Sequence, residues 1–204
     1  MPKDKTASHE RIVIAAKAEF LEKGFEKASM RDIGERAGIT PAGLYRHYKN
    51  KEDMFNELVK PALDSLYKWY KKHVDTKYAE INKGVSKNEL FNDNMIVFMR
   101  EEIYPYEDEF RLLFQCAQGT KYENFIHDIV RVQQKDLLKT MKFMKEKGMK
   151  VKEISEEEMH MIMSAYTTAL FEPFIHNFSR ERAEECLRTI EDFFMPGWQK
   201  LLGF

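Results

Sequence analysis

The sequence predicts an all-α protein: an N-terminal helix-turn-helix domain of three short helices, residues 1–50, followed by a C-terminal helical bundle, residues 51–204, with about nine helices in all. Two observations predict this class. Apolar residues recur every three or four positions, with no sustained apolar/polar alternation and no Asn-Gly or Asp-Gly hairpin signal. Serine, threonine, glycine and proline fall where helices would start or stop. With 204 residues, 43% hydrophobic and 33% charged, the chain is long and apolar enough to bury a sizeable core.

The elements follow in order. The first helix carries Ile12, Ala16 and Phe20 on one stripe and stops at Gly24, since glycine enters the left-handed conformation freely. Ser29 heads a Ser-x-x-acid start, and a short second helix with Ile33 and Ala37 inward ends at Gly38. Thr40 caps the third, with Pro41 at its first position. Asn50 and Asp53 open a fourth that runs toward Tyr78 with a kink at Pro61. The segment SKNE at Ser86 opens a helix ending before Pro105; others span about Tyr106 to Gly119 and Glu123 to Gly148. Ser155 opens a helix to about Phe178 with Pro173 inside, and Ser179 caps the last, which should break at Pro196-Gly197.

Composition narrows the function. The N-terminus lacks the apolar core of a signal peptide, and no apolar run approaches the length of a membrane span, so a cytoplasmic location away from membranes is expected. Cys116 and Cys186 lie far apart with no CxxC spacing and read as reduced thiols. No P-loop, GxGxxG, HExxH or nucleophile elbow occurs, so no enzyme is expected. Net charge is −1, yet the stretch TPAGLYRHYKNK carries Arg46, His47, Lys49 and Lys51 without one acid.

That stretch suits a major groove. The second helix, the turn AGIT and the third helix form a helix-turn-helix, whose second helix points its N-terminal end at base edges. Ala42 and Gly43 would leave the helix start bare, Tyr45 and Tyr48 would offer flat faces and hydroxyls, and the cations would meet phosphates. The helix N-terminus at Asn50 would add a further phosphate contact.

The span ERIVIAAKAEFLEKGFEKASMRDIGERAGITPAGLYRHYKNKEDMF, residues 10–55, resembles the TetR family of transcriptional regulators. It shows the first helix ending in GF, the segment SMRDIxxxAGIT and the run GLYxHYxNKED, with Tyr48, Asn50 and Met54 as conservative departures from the family pattern. The resemblance implies a homodimeric repressor on a palindromic double-stranded DNA operator, released by a small-molecule effector, with no cofactor. It implies DNA contacts at Ser29, Arg31, Thr40, Pro41, Ala42, Gly43 and Tyr45 and phosphate contacts at His47, Tyr48 and Lys51. The alternative is an effector-free architectural helix-turn-helix protein whose bundle only dimerises.

In the bundle, aromatic and methionine content suits a malleable apolar pocket. The expected effector set is Trp69, Phe98, Met99, Phe114 and Tyr166, with Glu123 and His127 for a polar group. Glu123/His127 and Glu172/His176 each stand four apart on one helix face, and Glu157-x-x-His160 is one such motif where a di-iron bundle needs two, so these read as helix-surface pairs and no metal is expected. Ile162, Ala165, Ala169, Leu187, Ile190 and Phe194 are expected at the interface between two copies.

Overall fold

The computed structural model describes residues 5–84, 86 and 95–203, and these are helical without a strand. In chain order the helices are α1 (Lys5–Lys27), α2 (Met30–Ala37), α3 (Pro41–Leu44), α4 (Lys51–Lys83), α5 (Met95–Phe98), α6 (Glu107–Gln115), α7 (Phe125–Glu146), α8 (Glu156–Ile175) and α9 (Arg180–Leu202). Between α5 and α6 the backbone makes a π turn, Met99–Ile103, and a 3-10 turn, Tyr104–Tyr106. The expected start of a helix at Ser86 lies outside the described residues, apart from Ser86 itself. None of the described helices is long and apolar enough to cross a membrane.

The chain packs as two compact units. One holds the chain up to Leu66 together with Ile103–Glu123; the other holds Tyr67–Glu102 and the chain from Asn124 onward. These are packing units, and α4 belongs to both; the functional boundary expected at residue 50 is a separate division.

In the first unit α1 leaves helical geometry at Gly24 (φ 74°, ψ 165°), where the sequence stops it. Ile12, Ala16, Phe20, Ile33, Leu44, Met54 and Phe55 are buried, and Phe20, Phe25 and Phe55 pack as three rings with centroids 5.3–5.8 Å apart. A polar grid ties α1 to α2. Buried Glu19 lies 2.7 Å from Lys23 and 3.5 Å from Arg36, Lys23 lies 3.0 Å from Asp32, and Arg36 lies 2.6 Å from Glu22. On the other side Lys17 holds Glu109 of α6 at 2.6 Å, and the Phe25 N–H donates to the Cys116 carbonyl at 2.9 Å.

The second unit is a bundle. A capping box opens α8, with the Ser155 hydroxyl accepting from the Glu158 N–H at 3.1 Å and the Glu158 carboxylate accepting from the Ser155 N–H at 2.9 Å. The core between α7, α8 and α9 contains Val130, Met141, Met159, Met163, Trp198 and Leu202. Two sequence expectations fail here. Helix α9 runs through Pro196 and Gly197 to Leu202, because Trp198 and Leu202 are buried beyond the proline and their burial outweighs the one backbone hydrogen bond a proline removes. Helix α8 stops at Ile175, capped by His176, rather than at Phe178, since Asn177 takes a left-handed conformation (φ 54°).

Candidate nucleic-acid interface

The helix-turn-helix is held by short-range polar contacts. The Ser29 hydroxyl accepts from the Asp32 N–H at 3.0 Å and starts α2; Gly38 ends it at φ 64°, a left-handed position suited to glycine. The Ile39 N–H then donates to the Gly34 carbonyl at 2.9 Å, which closes the turn. Thr40 Oγ1 accepts from the Gly43 N–H at 3.2 Å, Pro41 takes the first helical position, and buried Leu44 anchors α3 from beneath. Lys23 and the Ser29 hydroxyl hold the Asp32 carboxyl below its usual range.

This scaffold presents one polar, partly aromatic end. Arg31, Thr40, Pro41, Ala42, Tyr45, Arg46, His47 and Lys49 are all exposed, Tyr45 to 56%. Among the described residues Arg46 and Lys49 make no ion pair. The arrangement is a flat ring and several cations raised on a rigid frame, the composition a nucleic-acid backbone and base edges call for.

Several of the residues expected to meet DNA have partners within the chain. Gly43 is buried, not bare: a Cβ there would lie 2.8 Å from Ile39 Cγ2 and 3.2 Å from Thr40 Oγ1, so glycine is required for close packing against the turn. Tyr48 is only 4% exposed and its hydroxyl pairs with the Glu57 carboxylate; burial pushes the phenol well above its ordinary range, and Glu57 adds to this. Lys51 is turned inward. Its ammonium donates to the carbonyls of Phe25, Glu26 and Ala28 at 2.5, 3.1 and 3.0 Å and lies 4.4 Å from the centre of the Phe25 ring. All three of its protons are therefore engaged on the end of α1, and burial lowers its pKa. Ser29 spends its acceptor on the cap, and the Asn50 amide oxygen accepts from the Asp53 N–H at 2.7 Å.

His9 was not legible as part of this end. Its Nε2 lies 2.9 Å from Glu57 Oε1, and its ring lies 6.0 Å from Tyr48, stacked, and 6.2 Å from His47. The start of α1, the segment after α3, and α4 thus meet at one carboxylate. No local motif joins residues 9, 48 and 57; only the fold does.

The expected effector residues fall into separate groups. Trp69 packs on Phe98 at 4.3 Å and His73 at 4.9 Å, and Met99 is buried, all in the second unit. Tyr166 packs elsewhere in that unit, 5.1 Å from Phe194 and 6.0 Å from Trp198. His127 is exposed and meets His160 edge-on at 5.5 Å. Phe114 belongs to the first unit, where it stacks on Phe110, and Glu123 accepts there from the Gly119 N–H at 3.4 Å. Glu172 and His176 pair at 2.9 Å on the surface of α8. Two surface hollows, one along α4 from Tyr67 to Ala79 and one beside Gly148 and Gly203, include none of the expected residues.

Comparison with known proteins gives matches to one family over part of the chain. A model described as bacterial regulatory proteins, tetR family, matches residues 12–58. The chain is 26% identical over 117 residues to the HTH-type transcriptional repressor KstR2 of Mycolicibacterium smegmatis, covering 57% of each. It is 41% identical over 61 residues to the KstR2 repressor of Mycobacterium tuberculosis, covering 30% of each, and 28% identical over 130 residues to that of Rhodococcus jostii, covering 54% of this chain and 64% of the relative. The match thus spans about a third to under two thirds of these relatives' own length. Among solved structures, native NalD, the secondary repressor of the MexAB-OprM multidrug efflux pump in Pseudomonas aeruginosa, shares the fold with a TM-score of 0.56 and 17% identity, over 92% of this chain and 96% of that one.

Proposed function

We propose that the chain, whose residues 12–58 match the model of the tetR family of bacterial regulatory proteins, is a DNA-binding transcriptional repressor, acting as a homodimer on a near-palindromic operator and released by a small apolar or aromatic effector. The observation that carries the DNA-binding part is Tyr45, 56% exposed beside Arg46 and Lys49 at the end of a helix anchored by buried Leu44. The ring reads thymine methyls and base edges; Arg31, Arg46, His47 and Lys49 meet phosphates; Thr40, Pro41 and Ala42 keep the approach low. Relatives named as transcriptional repressors support the sign of regulation.

The outward faces of α8 and α9 support the second copy. Met161 and Phe193 are 71% and 77% exposed, and Ala165 and Gly197 beside them are exposed as well. Leu187, expected at that interface, is 1% exposed and packs within its own chain, as do Ile162 and Phe194 against the α7–α9 core. The self-complementary face is therefore Met161, Ala165, Phe193 and Gly197. Sedimentation at micromolar concentration gives twice the chain mass of 24.3 kDa if this holds, and a clean monomer removes the two-half-site reading.

Selection of bound DNA from a random pool tests the function itself. It yields an inverted repeat bound with steep salt dependence, because most contacts go to phosphates. On that site Tyr45→Ala costs roughly 1–3 kcal/mol and relaxes base preference. Failure to enrich any sequence overturns the repressor reading.

A further inference from the structure

The core between α7, α8 and α9 contains a donor that its own packing leaves unused. Trp198 is 8% exposed, and its indole N–H, shut off from solvent, has no acceptor among the described residues. A buried donor left unpaired is destabilising, so most are paired. Polar side chains of α7 and α8 have closed on one another. Thr167 Oγ1 donates to Gln133 Oε1 at 2.9 Å, His160 Nδ1 lies 3.0 Å from Gln134 Oε1, and Gln134 Nε2 donates to the Glu156 carbonyl at 2.8 Å. Around Trp198 the buried wall is Val130, Met141, Met159, Met163 and Leu202, with Tyr166 edge-on at 6.0 Å.

Three of those walls are methionines, whose unbranched thioether chains re-pack at low cost around an added shape. None is charged. We propose that this methionine-lined core opens to hold a neutral, apolar small molecule with one hydrogen-bond acceptor oxygen, of the ketone or ester class, received by Trp198 Nε1. An ionised carboxylate does not suit it, since one N–H and no cation cannot offset the burial of a full charge. The site deepens the effector part of the proposed function and rests on it for any consequence at the operator; binding of the molecule does not.

The test uses the full chain. The sequence has two tryptophans, so Trp69→Phe leaves Trp198 as the reporter. Three probes are titrated by fluorescence: 2-nonanone, its shape-matched alkene 2-methyl-1-nonene, and nonanoate. A hydrogen bond to the indole shifts Trp198 emission to the red and makes the ketone bind about tenfold tighter than the alkene. Nonanoate binds more weakly than the ketone. In protein with ¹³C-labelled methionine methyls, the ketone shifts Met141, Met159 and Met163 and spares Met54. Trp198→Phe removes the preference for ketone over alkene. Equal affinity of ketone and alkene in Trp69→Phe, shifts at methionines outside the three, or no binding of any probe each overturns the site, whether or not Trp198→Phe folds. Operator release is read separately: a ketone that binds here and leaves the DNA complex intact removes the switch from the proposed function and keeps the site.

Discussion

The two units fix their side chains by different means. In the first, position is set by directional contacts: hydroxyl caps at Ser29 and Thr40, the Glu19–Arg36–Lys23–Asp32 grid, and three carbonyls closed around Lys51. In the second, the α7–α9 core is held by methionine, aromatic and aliphatic packing around an unpaired indole N–H. Directional contacts have one good geometry; thioether packing has many. A surface that must match a fixed DNA repeat suits the first kind of construction. A pocket that accepts a molecule and re-packs suits the second. Substitutions therefore fall into two classes, and the contrast is open to attack from either side.

The largest effect is expected at Lys51. Replacing it by methionine keeps much of the apolar stem on Phe25 but removes charge-assisted hydrogen bonds to Phe25, Glu26 and Ala28. Hydrogen bonds to charged groups contribute about 1.5–3 kcal/mol, so the unfolding free energy drops by about that amount. The salt slope of operator binding stays unchanged, because the ammonium is spent on three backbone carbonyls. A slope reduced by roughly one unit per subunit, with stability intact, restores Lys51 to the DNA surface and weakens the contrast.

Next comes Gly34. A Cβ there would lie 2.9 Å from the Ile39 carbonyl oxygen, a backbone atom in the turn that cannot step aside alone. Alanine gains roughly 0.5–1 kcal/mol in helix propensity, whereas overpacking costs typically about 1–3 kcal/mol, so the clash wins and Gly34→Ala destabilises the first unit. Chemical denaturation reads the first outcome; an alanine variant more stable than the parent shows the turn to be looser than its contacts imply. In the bundle, by contrast, Met163→Leu conserves volume and should cost less than about 1.5 kcal/mol. A larger loss there means that the methionine core is as exacting as the turn.

Much of this was legible in the sequence, and the legible part was local. Each of Ser29, Gly38, Thr40, Asn50, Ser155 and Ser179 acts within a few residues of itself, and each begins or ends a helix where the sequence puts that boundary. What escaped was set by partners far along the chain. Lys51 looks like a surface cation until the end of α1, more than twenty residues upstream, closes around it. Tyr48 looks like a phosphate ligand until Glu57 takes its hydroxyl. The Pro196-Gly197 pair signals a break that the burial of Trp198 and Leu202 overrides. A hydrophobic period tells which face is buried, not against what.

The smallest effect is expected from protons on the α1–α2 grid. Lys23 and the Ser29 hydroxyl lower the Asp32 carboxyl, and Arg36 lowers that of Glu22, chiefly by hydrogen bonding. A carboxyl whose folded pKa lies below its unfolded value adds stability that is present above the unfolded pKa and is lost as pH falls through the folded one. The grid should therefore weaken in acid, as pH falls through and below the ordinary carboxyl range, not on the alkaline side. Solvent screens these exposed pairs, so the effect is a slope rather than a collapse. Asp32→Asn lowers stability slightly at pH 7, where the carboxylate would have been charged, and flattens the dependence of the urea midpoint on pH in the acid range. If the variant and the parent lose stability in parallel from pH 7 to pH 3, the pair of Lys23 with Asp32 is only a surface contact. The rigidity of the first unit would then rest on its caps, on Lys51 and on its three packed phenylalanines.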